Sequence, residues 1–108
     1  MIRKAPSAMH ADTQLPQLAD LFRLLGDTTR LRIVMACLQG PVTVGDIAAG
    51  LDLAPTLVSH HLRLLRAARL VKSERQGRHV LVCAADQHVA RMLGEMIEHI
   101  AEPVGELE

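Results

Sequence analysis

Pro55-Thr56-Leu57-Val58-Ser59-His60-His61-Leu62-Arg63-Leu64-Leu65-Arg66-Ala67-Ala68 decides the fold, together with Leu70-Val71-Lys72-Ser73-Glu74-Arg75 and His79-Val80-Leu81-Val82-Cys83 downstream of it. Proline suits the first position of a helix, and Val58, Leu62 and Leu65 then recur at i, i+4 and i+7. Those three side chains face a core. Thr56, Ser59, His60 and Arg63 recur at i, i+3, i+4 and i+7 on a different face, so one side packs and the other stays polar. The two β-prone runs that follow are separated by Gln76-Gly77-Arg78, a turn composition, and predict a hairpin.

Upstream, Thr43 is placed to cap a short helix containing Ile47, Ala48 and Leu51, and Gly50-Leu51-Asp52-Leu53-Ala54-Pro55 makes a tight connection into the next helix. Two short helices joined by a brief turn form a helix-turn-helix, and a hairpin after it is the layout of a winged helix. Asp27 offers an N-cap to a helix carrying Leu31, Ile33, Val34, Cys37 and Leu38, which Gly40-Pro41 ends. Before it, Leu18, Leu21, Phe22 and Leu25 keep helical spacing from about Leu15 until Gly26. Residues 1–12, punctuated by Pro6, read as a loose arm. After the hairpin, Asp86 opens a last helix whose Val89, Met92, Leu93, Met96, Ile97 and Ile100 form an apolar stripe, and Pro103 ends it. The expected fold class is therefore mainly α with a small β-hairpin, one domain over residues 13–103 and a short tail over 104–108.

The chain has 108 residues with 49% apolar content, ample for one core, but its single aromatic is Phe22. A core of Leu, Val, Ile, Ala and Met in so small a helical domain is often completed by dimerisation. No apolar run approaches the roughly 20 residues that span a bilayer, and MIRKAPSAMHADTQLPQ lacks a signal-peptide stretch, so a cytoplasmic protein without membrane contact is expected. Cys37 and Cys83 form no CxxC pair and read as small buried apolar residues. The formal net charge is zero, yet residues 55–80 hold Arg63, Arg66, Arg69, Lys72, Arg75 and Arg78 against Glu74 alone. Residues 86–108 reverse this, with Asp86, Glu95, Glu98, Glu102, Glu106 and Glu108 against Arg91 alone. One segment suits phosphates and the other suits cations.

Hydroxyl, imidazole and guanidinium groups on one helix face are the donors and acceptors that reach base edges and phosphates when a helix enters the major groove. Thr56, Ser59, His60 and Arg63 are the candidate readers, and Arg75 and Arg78 flank the glycine turn where a hairpin grips the backbone or minor groove.

From about Leu18 to Pro103 the chain resembles the ArsR/SmtB family of winged-helix repressors. Four stretches carry the resemblance: Leu24-Leu25-Gly26-Asp27-Thr28-Thr29-Arg30-Leu31-Arg32-Ile33, Val58-Ser59-His60-His61-Leu62-Arg63-Leu64-Leu65, Leu70-Val71-Lys72 with Arg75-Gln76-Gly77-Arg78, and the acidic and histidine positions of the last helix. The resemblance implies a homodimer on an inverted-repeat operator, bound in the apo state and released by an effector, with Thr56, Ser59 and His60 facing bases.

The last helix concentrates its strong ligands at its ends, as Asp86-x-His88 and His99-x-x-Glu102. Eleven residues return His99 to within about 20° of the face of His88, but at ~1.5 Å per residue the two lie ~16 Å apart. One helix cannot bring both to one ion. If it packs antiparallel against its twofold mate, Asp86 and His88 of one protomer meet His99 and Glu102 of the other, twice by symmetry. Four nitrogen and oxygen ligands suit tetrahedral zinc, with cobalt(II) as a mimic. The constellation coincides with the pattern of family members that sense zinc through their fifth helix. The Cys-x-Cys of soft-metal sensors is absent, the corresponding stretch reading Val44-Gly45-Asp46.

Nickel sensors of the family recruit extra terminal histidines; His10 is available in the arm, but the tail has none. Nickel or cobalt sensing, or cysteine redox, is the alternative signal. A ligating histidine is further expected, from the resemblance, to donate to a main-chain carbonyl near Arg69. A zinc hydrolase is disfavoured, because four protein ligands leave no position for water and no HExxH occurs. A pure dimerisation module is a third reading.

Overall fold

The computed structural model describes residues 7–105. In chain order the elements are α1 (Ser7–Leu25), α2 (Thr28–Cys37), β1 (Val42–Thr43), α3 (Val44–Leu51), α4 (Pro55–Ala67), β2 (Val71–Gln76), β3 (His79–Ala84) and α5 (Gln87–Ala101).

Three of the helices start where a short polar side chain replaces the hydrogen-bond partner that a first turn lacks. Asp27 Oδ2 accepts from the Arg30 N–H at 3.0 Å, Thr43 Oγ1 from the Asp46 N–H at 3.0 Å, and Asp86 Oδ1 from the Val89 N–H at 3.0 Å. Helix α4 has no such cap at Ala54 and begins on Pro55, whose missing N–H needs no partner. It closes through a left-handed residue, Arg69 at φ 62°, with the Leu70 N–H reaching back to the Leu65 carbonyl at 2.9 Å. A side chain in that conformation costs about 1–2 kcal/mol relative to right-handed backbone. The sharp reversal it allows drops Leu70 and Val71 into the core, each 2% exposed.

The core lies between α2, α3, α4 and the sheet. Ile33, Val34, Val58 and Leu65 are 0% exposed, each stabilising by about 1.5–3 kcal/mol on burial. The sheet is antiparallel in the order β1-β3-β2, with Val42 opposite Val82 and Gln76 opposite His79. Gly77, at φ 63°, takes the first central position of the hairpin turn, where positive φ is needed.

The structure departs from the sequence reading in two places. Helix α1 begins at Ser7, taking in residues 7–12 that read as part of the arm and carrying Pro16 inside it. The apolar repeat begins only near Leu15, so periodicity alone pointed to a start there. The strand β1 was not expected either, since two residues are too few to show alternation. Residues 1–6 of the expected arm, 106–108 of the tail and the side chain of His10 lie outside those described.

Candidate nucleic-acid interface and metal centre

On α4 the buried residues are Val58, Leu62 and Leu65, as the spacing predicts. Thr56, Ser59, His60 and Arg63 are all exposed on the opposite side. Arg75 and Arg78 are exposed on the hairpin, at the far end of β2 and in the turn. Two contacts that sequence spacing does not show fix this polar surface. Arg66 Nη1 donates to Ser73 Oγ at 2.9 Å, joining the last turn of α4 to β2. Arg30 Nε donates to His61 Nδ1 at 3.3 Å, joining α2 to the middle of α4. Both pairs join separate elements, so no helical or strand period reports them. The only signal in the sequence was composition: arginines beside neutral acceptors in the two motifs. Arg32 Nη2 similarly holds the Leu51 carbonyl at the end of α3, at 3.0 Å.

The four candidate metal ligands are also exposed, and all belong to α5 or its caps. Asp86 and His88 line one open cavity of about 660 Å³, which also takes in Arg69 and Lys72. His99 and Glu102 sit at the other end of the helix. Among the described residues, the chain by itself gathers no group of three or more His, Cys, Asp or Glu side chains able to hold an ion. Each end of α5 thus offers two donors. Asp86 commits Oδ1 to its cap and keeps Oδ2, so capping and ligation are compatible in one carboxylate. Imidazole and carboxylate donors fit a borderline cation such as zinc.

Between these ends, α5 is incompletely packed. Leu93 is 7% exposed, but Met96, Ile97 and Ile100 are 48%, 52% and 77% exposed. Helix α1 leaves Leu15, Leu18 and Phe22 about half uncovered. The radius of gyration, 16.5 Å, exceeds the roughly 13 Å of a compact domain of this length, in keeping with two helices that project. Cys37 is 1% exposed and its thiol is pushed up to about 11 by burial and then by neighbouring Cys83, which makes it a poor nucleophile. Among the described residues no helix is long and apolar enough to cross a membrane.

These features define a winged helix-turn-helix DNA-binding protein. The model of the bacterial regulatory protein arsR family matches residues 27–73. The transcriptional repressor SmtB homolog of Synechocystis sp. is 40% identical over 97 residues, 90% of this chain and 73% of that protein. The HTH-type transcriptional regulator CmtR of Mycobacterium tuberculosis is 46% identical over 81 residues, 75% of this chain and 69% of that protein. The solution NMR structure of a homodimeric winged helix-turn-helix DNA-binding domain from Mycobacterium bovis, a possible ArsR-family regulator, superposes with a TM-score of 0.77. It covers 100% of this chain and 96% of its own at 25% identity. The chain belongs to the arsR family of bacterial regulatory proteins, which are DNA-binding transcriptional regulators and not enzymes.

Proposed function

We propose that the chain is a homodimeric repressor that holds an inverted-repeat operator in its apo form and is released by Zn(II) bound at two sites between the subunits. The observation that carries this reading is α5: uncovered apolar side chains, Met96, Ile97 and Ile100, on a helix that carries at each end a donor pair insufficient alone. An antiparallel second copy covers the stretch and completes both sites in one step. Asp86 and His88 then face His99 of the partner subunit and Glu102 of the partner subunit. These four residues would hold zinc, which when bound would supply a crosslink between the two helices.

Thr56, Ser59, His60 and Arg63 contact bases and phosphates from α4, while Arg75 and Arg78 hold the backbone beside it. Because α5 sets the separation of the two α4 helices, the crosslinked dimer favours a spacing that fits successive major grooves poorly. Coupling is reciprocal, so operator DNA weakens zinc binding by the same factor. His88 shares its cavity with Arg69, which supports a route from the ligands to the end of α4.

Relatives respond to metals other than zinc by description, among them the cadmium metal-sensor CMTR from Mycobacterium tuberculosis, 39% identical to this chain. Nitrogen and oxygen donors favour zinc here, since cadmium prefers thiolates and neither donor pair of α5 includes a cysteine. Calorimetry of zinc against wild type and His99→Ala tests the site: the variant should bind at least about tenfold more weakly, as loss of one of four ligands requires. Equal affinity ends the metal reading. Operator titrations with zinc, cobalt, nickel and copper then identify the effector as the ion that shifts DNA affinity.

A further inference from the structure

Arg30 stands where three helices meet. Its main-chain N–H donates to Asp27 in the cap of α2, and its guanidinium reaches away from the helix in two directions. Nη1 donates to the Leu24 carbonyl, in the last turn of α1, at 3.2 Å. Nε donates to His61 Nδ1, on α4, at 3.3 Å. Arg30 and His61 are both half-buried. A guanidinium carries only donors, so His61 must present a lone pair at Nδ1 and keep its proton on Nε2. A protonated imidazole has no acceptor, and would set one cation against another.

We propose that the Arg30–His61 hydrogen bond is a positioning contact that fixes the DNA-reading helix against the end of α1, and that it holds only while His61 is neutral. The proposal rests on α4 reading DNA. His61 lies directly beside His60, one of the exposed candidate readers, with ring centroids 5.6 Å apart. A shift of α4 at His61 therefore displaces Ser59, His60 and Arg63 together. The charged groups that act on His61 are Arg30 and Asp27 from α2 and His60 on its own helix. Helix α1 contributes the Leu24 carbonyl, while its Asp20 and Arg23 pair with each other.

The environment favours the neutral form. Burial lowers the His61 pKa first, Arg30 and His60 lower it further, and Asp27 opposes them. With the folded value below the unfolded one, the folded state binds fewer protons across that window. The contribution to stability is complete above the ordinary histidine value and declines as pH falls through the window beneath it. Tight operator binding follows the same direction.

The test compares wild type, His61→Asn and His61→Leu by operator titration at fixed salt. Asparagine keeps an acceptor near the Nδ1 position and does not titrate; leucine removes the acceptor. Between about pH 8 and about pH 5.5 the wild type should lose about tenfold in affinity relative to His61→Asn, as for a lost hydrogen bond to a charged group. His61→Leu should bind about tenfold more weakly than His61→Asn at the higher pH. Parallel pH profiles for wild type and His61→Asn would overturn the proposal, and that comparison stands even if the leucine variant does not fold. Imidazole nitrogen NMR of the DNA-free protein is an independent arm: an Nε2–H tautomer titrating below ordinary histidine is expected, and an Nδ1–H tautomer overturns the contact whatever DNA does. If the expected tautomer is found and the wild type binds no operator at any pH, the reading of α4 is what fails, and the positioning role fails with it.

Discussion

Helices α4 and α5 are built from the same kind of amphipathic repeat and end in opposite conditions. The apolar side of α4 is finished inside the chain, with Val58 and Leu65 at 0% exposure and Leu62 at 2%. That of α5 is buried only at Leu93, and Ile100 remains 77% exposed. A helix whose packing is complete holds its polar face still, which reading a base sequence demands. A helix whose packing is incomplete leaves its final position to whatever covers it, which is what a sensor requires. On the proposed function, recognition and response would be separated by how far each helix is satisfied by its own chain.

The largest break in this contrast comes from the finished side. Leu65→Ala should cost about 2–5 kcal/mol, as the removal of a fully buried leucine does, with urea unfolding as the measurement. The second comes from the open side. Ile100→Glu should leave the fold of the single chain intact while weakening self-association about 100-fold or more, because two copies of the loss meet across a twofold axis. Analytical ultracentrifugation reads this directly, and unchanged association would show that another surface joins the subunits. The smallest effect belongs to the reading face. Arg63→Ala should lower operator affinity by about 1–3 kcal/mol and reduce its salt dependence without changing thermal stability; unaltered binding would remove α4 from the groove.

Much of this was legible before any coordinates. The Pro55 start, the Val58-Leu62-Leu65 repeat and the caps at Asp27, Thr43 and Asp86 are local features, and local features survive translation into structure. The start of α1 was misplaced because its apolar repeat begins only near Leu15, whereas the helix itself begins at Ser7 with Pro16 inside it. The two-residue β1 and the Arg30–His61 and Arg66–Ser73 contacts depend on residues far apart or on separate elements, where no period exists to announce them. For the ligands, spacing exposed the impossibility of a site within one helix, and among the described residues no group of three or more such side chains gathers in the single chain. On the proposed function they would converge only across two copies of α5, whose Met96, Ile97 and Ile100 the chain itself leaves uncovered.

Arg66 on Ser73 ties α4 to β2 and Arg32 on the Leu51 carbonyl ties α2 to α3, so these elements form one braced block. On the proposed function, a distortion applied at α5 would displace that block as a unit. An effector acting there would alter the distance between the two blocks of a pair while leaving each one's choice of nucleotides intact, so induction would be tuned by operator length rather than operator spelling.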